Sequence, residues 1–378
     1  MSRATDKKPL VICANSVQQL EARIREALKQ EQTPTLGIVF CSVAHNLDEV
    51  ARLFARYNIE VFGASSSGEI ADDKYYEESI AVMLLYIDHD YYKLKAFDAH
   101  CMTSYQAGQG IGKWAKTVYD LPAFMIVSAG LRADGEQIVH GITDEMGYQV
   151  PLFGGLAGDD LRMRGTFVFS SSQIISDGMV VLIFDRRVIE LYGMAVSGWK
   201  AIGTSKKITK ATGNVVYTID DQPALEVYNR YLGINGMSSD HTRAAEYPLL
   251  VEREDGSCVL RAAMVVNEDK SMVYAGTVPE GAKVRFTMPP GFEIIECAVE
   301  QFSAFNQQIP KADAIVLFSC KARHLALGPM VKDEISAIRK LWSVPSVGFF
   351  TYGEIGPCLE GRCDFHNDTA CLTLIQIK

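Results

Sequence analysis

No stretch of this 378-residue chain approaches the roughly 20 consecutive apolar residues that carry a helix across a bilayer. Met1 to Pro9 is polar and lysine-bearing, with no hydrophobic h-region behind it. Both absences argue against a membrane protein or a secreted one, so a soluble protein of the cytoplasm is expected. Clustered basic residues are missing as well. A net charge of −9 leaves nothing to neutralise a phosphate backbone, which argues against nucleic-acid binding. The densest basic stretch, Lys200 to Lys210, reads as the solvated edge of a strand. Low-complexity segments and long linkers are absent, and so is any Cys-x-x-Cys-His haem-attachment sequence. The nine cysteines are an odd number, and several, such as Cys41, Cys320 and Cys371, fall inside apolar strands. That usage belongs to a reducing compartment rather than to a disulfide framework.

What the chain does have is an ordinary globular composition, 48% hydrophobic and 22% charged, and enough length for two or three domains. It also has an internal repeat. Gly63-Ala64-Ser65-Ser66-Ser67-Gly68-Glu69-Ile70 and Gly348-Phe349-Phe350-Thr351-Tyr352-Gly353-Glu354-Ile355 carry the same punctuation, each entered through a short apolar run. A decayed copy, Val150 to Asp160, has Asp159-Asp160 where the others have Glu-Ile. Upstream of each copy lies a β-branched and aromatic strand: Leu36 to Ser42, Ala123 to Ser128, Ala314 to Cys320. A helix-length segment follows each, with apolar residues at helical spacing in the first (Leu47, Val50, Ala51, Leu53, Phe54) and last (Val331, Ile335, Ile338, Leu341). A second strand then runs into the glycine turn, and Ser79 to Tyr86, Gly178 to Phe184 and Thr369 to Ile377 read as a further strand each. The fold class expected is α/β, built of repeated strand-helix-strand modules with mixed sheets, two preserved and one eroded.

Elsewhere, Leu10 to Cys13 reads as a strand and Ser16 as the N-cap of a helix with Leu20, Ile24 and Leu28 on its apolar face. A boundary falls within 186 to 225. Beyond it, Gly213-Asn214 marks a turn between strands, residues 223 to 232 form a helix, and Tyr247 to Arg285 alternates as an antiparallel group.

A turn at the carboxyl end of a parallel strand leaves backbone N–H groups unpaired, and glycine lets a ligand approach them. Glu69 and Glu354 add a carboxylate to that turn. The other reading is that the glycines make tight turns and each Glu caps the next element. Ser65, Ser66, Ser67, Thr351 and Tyr352 would line such a pocket with hydroxyls, and Asp159 and Asp160 belong to the second turn. Cys358, Cys363 and His366 invite zinc but lack a fourth ligand. Cys320 near His324 invites thiol chemistry, although Cys320 ends a buried strand. The two glutamates could serve as acid and base in an enzyme, the competing function class, but no nucleophile, metal set or nucleotide loop stands beside them.

Phe62 to Ile70, the Gly198 to Asp220 block continuing to Ala224, Phe318 to Arg323, Gly348 to Ile355 and Phe365-His366-Asn367-Asp368-Thr369 resemble the FIST family over about residues 35 to 378. The resemblance implies a FIST N domain at 35–220, holding two α/β modules, and a FIST C domain at 221–378, with residues 1–34 packing on the first. It implies a bacterial signal-transduction sensor, not an enzyme, that binds a small effector. With no room for an output region, the chain would report to a separate partner, a histidine kinase of a two-component system or a cyclic-di-GMP enzyme. Stand-alone members include haem-binding, nitric-oxide-responsive proteins of the NosP type; the other effector the family suggests is amino-acid-like. For an amino acid, Arg323 would meet the anion and the two glutamates the ammonium group, or Arg323 would instead pair with an acid inside the fold. His366 and Asn367 complete the expected ligand set. A haem would be non-covalent, with His241, His324 or His366 as axial candidates.

Overall fold

The computed structural model describes residues 7–29, 32–232, 247–253, 256–288, 291–358 and 361–378. The first module runs β1 (Leu10–Ala14), α1 (Val17–Ala27), β2 (Leu36–Ser42), α2 (Leu47–Arg56), β3 (Glu60–Ser66), a short hairpin of β4 (Glu69–Ala71) and β5 (Lys74–Tyr76), then β6 (Ile80–Leu85). The second repeats that order as β7 (Tyr92–Asp98), α3 (Ser104–Lys116), β8 (Pro122–Ser128), α4 (Gly135–Met146), β9 (Leu152–Leu156), β10 (Val168–Phe169), β11 (Ile174–Ile175) and β12 (Gly178–Asp185). The third opens with β13 (Ile189–Val196) and is interrupted by an insert: β14 (Lys200–Thr212), β15 (Val215–Ile219), β16 (Gln222–Pro223), α5 (Ala224–Leu232), β17 (Leu249–Glu252), β18 (Cys258–Arg261), β19 (Ala263–Val266), β20 (Met272–Tyr274) and β21 (Lys283–Met288). It resumes with α6 (Glu293–Gln308), β22 (Ala314–Cys320), α7 (Lys321–Leu327), α8 (Val331–Trp342), β23 (Ser346–Thr351), β24 (Glu354–Pro357), β25 (Cys363–His366) and β26 (Ala370–Ile377).

Each module folds the same way. β2 and β3, β8 and β9, and β22 and β23 are parallel pairs joined by a helical crossover. The last strand of each module returns antiparallel beside the first of that pair. The eroded copy therefore carries the full set. β1 and α1 are not an appendage but the opening strand and helix of a module, matched by β7-α3 and β13-α6. Ser16 does cap α1, its hydroxyl accepting from Gln19 N at 3.2 Å.

The hairpins are exchanged. β4–β5 of module one extends the sheet of module three through β23; β10–β11 of module two extends module one through β3; β24–β25 of module three extends module two through β9. The result is three six-stranded sheets in a closed cycle, each with four strands from one module and two from another. Their inner faces share one core to which all three contribute, with Phe40 of β2 stacked on Phe349 of β23 at 4.4 Å between ring centroids. The helices cover the outer faces, each pair over its own apolar cluster. Strands such as Leu36–Ser42 are buried along their whole length because both faces of their sheet are covered, which is why they read as continuous apolar runs.

The insert is a separate antiparallel sheet with its own core around Tyr228, Tyr274 and Phe286. Lys200–Lys210 lies in β14, an exposed or half-exposed strand over most of its length, with β21 paired to its first half and β15 to its second. Lys200, Lys207 and Lys210 are exposed, while Lys206 is mostly covered and pairs with Asp220 at 3.0 Å.

Candidate functional site

The hairpin exchange brings the three glycine turns together. Ser67 N donates to Phe350 O at 3.1 Å and Phe350 N to Gly68 O at 2.9 Å; Leu156 N donates to Gly353 O at 2.8 Å and Tyr352 N to Leu156 O at 3.0 Å; Gly158 N donates to Ser65 O at 3.0 Å, and the Ser65 hydroxyl returns to Gly158 O at 2.6 Å. Every turn thus satisfies the amides of its neighbours. These N–H groups are spent on the junction, and Ser65, Ser66, Ser67, Glu69 and Glu354 are buried.

Two turns close with the same clamp. The Ser66 hydroxyl and the Ser79 amide and hydroxyl meet the Glu69 carboxyl, the latter two at 2.9 and 2.7 Å. The Thr351 hydroxyl and the Thr369 amide and hydroxyl meet Glu354, the latter two at 3.3 and 2.7 Å. Burial raises Glu69 to about 7 and Glu354 to about 8, against the hydrogen bonds that favour the charged form. In the second turn Leu156 stands where the others have a hydroxyl. Asp159 there receives the amides of Met163, Arg164 and Gly165 and the Tyr352 hydroxyl. Asp160 accepts from the Ser42 hydroxyl at 2.7 Å.

Arg323 is fully buried and takes the internal alternative: it chelates Glu334 and reaches the carbonyls of Ser197 and Asp368. Cys320 is buried and its thiol is pushed well up by that burial, which argues against a reactive thiolate. Among the described residues no cluster of three His, Cys, Asp or Glu side chains could hold a metal ion, so Cys358, Cys363 and His366 do not form a zinc site.

A haem needs an imidazole nitrogen reaching iron across an apolar slot. His241 lies outside the described residues. His324 stacks on Phe350 at 4.0 Å with Nδ1 3.1 Å from the Lys321 ammonium, and burial together with that charge lowers it to about 4. His366 Nε2 meets the Gly356 carbonyl at 3.0 Å, and its surroundings include Lys200, Asp364 and Gln301. Neither of the two described axial candidates, His324 and His366, fits a haem.

One cavity of about 520 Å³ lies between the second and third modules, beside Phe153, Tyr192 and Phe305, and two more lie where the insert meets the modules. A cleft of about 970 Å³ separates α4 from the insert. Beside it Arg261, fully buried, joins Glu136 at 3.0 Å and the Phe365 carbonyl at 3.1 Å, while Arg253 joins Glu136 at 2.7 Å and chelates Asp364. Asp364 stays below the usual carboxylate range because these arginines outweigh its burial.

A second groove, of about 450 Å³, sits at the hinge where the chain leaves β13 for the insert, bounded by Trp199, Leu250, Leu260, Cys297, His366 and Thr369. At this hinge Gly198 has φ +86° and passes close over Ile294. The Trp199 indole N–H is buried without a partner. So are the Asn367 side-chain oxygen and both carboxyl oxygens of Asp368, the two residues between His366 and Thr369. Asp368 is fully buried, and burial together with nearby Glu354 raises it well above its ordinary value. Unsatisfied buried polar groups cost about 1–3 kcal/mol each; Trp199 lines the groove itself, whereas Asn367 and Asp368 follow the lining residue His366 and precede the lining residue Thr369 in the chain. Asn367 was expected from sequence in a ligand set at the glycine turns. Trp199 and Asp368 were not, though both stand inside motifs the sequence displays.

Comparison with known proteins agrees with this architecture. Residues 35–222 match the FIST N domain and residues 224–357 the FIST C domain. The chain is 25% identical over 254 residues to an uncharacterized protein of Mycobacterium bovis, and 25% identical over 254 and 253 residues to two uncharacterized proteins of Mycobacterium tuberculosis. Each match covers 63% of this chain and 63% of the relative, so the chain spans about 63% of the length of the curated relatives it matches. These two matches together span most of the chain and make it a member of the FIST family, whose domains sense small ligands in signal transduction.

Proposed function

We propose that the chain is a cytoplasmic small-molecule receptor whose effector occupies the hinge groove and presents donor groups to Asn367 and Asp368 and an acceptor to the Trp199 indole. The reading rests on one observation: buried polar atoms lack partners on Trp199, which lines the groove, and on Asn367 and Asp368, which sit in the chain between its lining residues His366 and Thr369. A small molecule with an amine and an anionic or carbonyl group meets that demand. An occupant at a hinge binds one orientation of the insert better than others, and so shifts the population that a partner reads. The partner in this proposal is a histidine kinase or a cyclic-di-GMP enzyme. The competing enzyme reading, built on Glu69 and Glu354, gains no support from carboxyls whose oxygens are already held in a closed junction.

A thermal-shift screen across amino acids, amines, nucleotides and haem tests this, since binding to the folded state alone raises apparent stability. Asp368 has φ +56°, a conformation asparagine also adopts, so Asp368→Asn keeps the backbone. We expect Asp368→Asn to raise the midpoint of the ligand-free protein and to abolish the response to the stabilising ligand. A ligand response unchanged in Asp368→Asn and in Trp199→Phe would move the site elsewhere. A Soret band shifted by nitric oxide would replace the polar effector with haem.

A further inference from the structure

We propose that the loop Asp160–Gly165, with the neighbouring tip Leu131–Arg132, is a docking surface for an acidic, apolar helical segment of a partner protein. The first and third modules pass from Glu69 and Glu354 straight into their hairpins, whereas the second interposes residues 160–167 between Asp159 and β10. This addition is held in a costly conformation. Asp160, Leu161 and Met163 have φ of +55°, +59° and +51°, in the left-handed region that side chains disfavour. Rigid partners maintain it: the Asp159 carboxyl accepts Met163 N at 3.1 Å, Arg164 N at 2.7 Å and Gly165 N at 3.0 Å, and the Tyr352 hydroxyl accepts Leu161 N at 2.9 Å.

The loop so fixed presents four exposed residues in a row, Leu161-Arg162-Met163-Arg164. Leu161 is 40% and Met163 49% exposed. Thr166 Oγ1 accepts Gly130 N at 2.7 Å and Leu131 N at 3.4 Å, which sets exposed Leu131 and Arg132 beside them. Three apolar side chains interleaved with three arginines stand out on a chain of net charge −9. Two of the arginines hold only long ion pairs at the surface, Arg162 with Asp160 at 3.9 Å and Arg132 with Asp177 at 4.0 Å. Arginine with flanking apolar contacts reads carboxylates set beside leucine-like side chains. No exposed aromatic stands among these six to stack a base, and a loop tip offers no amphipathic helix to lie in a lipid surface. Where the effector binds does not enter this inference.

The test uses the full chain and a labelled peptide of about 18 residues, alternating Leu and Glu at helical spacing, with Glu/Ser and Lys/Leu peptides and phosphatidylglycerol vesicles as comparators. We expect the Glu/Leu peptide to bind and to weaken with salt. Arg162→Glu with Arg164→Glu should weaken it roughly tenfold or more, and Leu161→Ser with Met163→Ser should weaken it independently. These side chains are exposed, so the variants fold; an unchanged unfolding midpoint confirms that. No binding of the Glu/Leu peptide, equal binding of the Glu/Ser or Lys/Leu peptide, binding unaffected by either variant pair, or loss of vesicle binding in place of peptide binding overturns the proposal. Effector thermal shifts unchanged in these variants separate a failure here from a failure of the hinge-groove reading.

Discussion

The Tyr352 hydroxyl donates to Asp159 Oδ1 at 2.6 Å, joining the turn of the third module to that of the second across 193 residues of sequence. The same oxygen accepts Leu161 N at 2.9 Å, so one phenol organises both the module junction and the strained loop. Burial and the Asp159 charge hold this hydroxyl far above its ordinary range, and it remains a donor at any pH the fold survives.

Tyr352→Phe leaves the ring and removes the oxygen. The Asp159 carboxyl keeps its three amides, so the fold persists, at a cost of about 1–3 kcal/mol for the donor and acceptor left unmatched. Urea unfolding measures the loss, and hydrogen exchange of residues 160–165 should accelerate more than that of β8. Equal acceleration in both would mean that the phenol only contributes global stability.

The two glutamate clamps predict a stability that falls on the alkaline side. Glu69 at about 7 and Glu354 at about 8 lie above the ordinary value of 4.5. The folded state therefore holds protons that the unfolded chain has released, and it is disfavoured as pH climbs from about 4.5 through 7 and then 8. Isosteric Glu69→Gln and Glu354→Gln cannot lose that proton. We expect the denaturation midpoint of the native chain to fall between about pH 5 and 8, and that of the double variant to fall much less. Parallel pH profiles would show that these carboxyls do not titrate on unfolding.

The exchanged hairpins predict where a single methyl group hurts. A Cβ on Gly63 of β3 would lie 2.5 Å from the ring of Phe169, which the second module's hairpin lays on the first module's sheet. Gly63→Ala should destabilise by about 1–3 kcal/mol through overpacking, and Phe169→Leu in the same chain should recover part of it. No recovery would mean the clash is relieved elsewhere.

Arg261 is the deepest cation in the cleft network, and its loss strands an anion. Arg261→Met should cost about 3–5 kcal/mol, because Glu136 keeps only the partly buried Arg253. Adding Glu136→Gln should return a large part of that loss, measured as a double-mutant cycle. Additive losses would deny the coupling.

Much of this architecture is legible in the chain because the repeat is local. Glycine punctuation after a fully buried strand fixed all three crossovers, including the one whose Glu has become Asp159 and whose hydroxyl has become Leu156. The hairpin exchange was not legible, since β4 and β10 carry the same local pattern whichever sheet they finish. For the same reason the turns were expected to open on a ligand, whereas their amides meet one another. Arg323 presented two readings and burial chose the ion pair with Glu334. Trp199 and Asp368 gave no periodic signal at all; only missing hydrogen bonds, a three-dimensional quantity, single them out.

A cycle in which every sheet borrows its border from another module also sets a timetable for biosynthesis. β9 emerges early from the ribosome, yet its neighbour β24 is synthesised some two hundred residues later. Meanwhile the second module exposes an unfinished margin able to recruit any extended strand nearby. Truncation after the FIST N match should therefore yield not a smaller receptor but a precipitate.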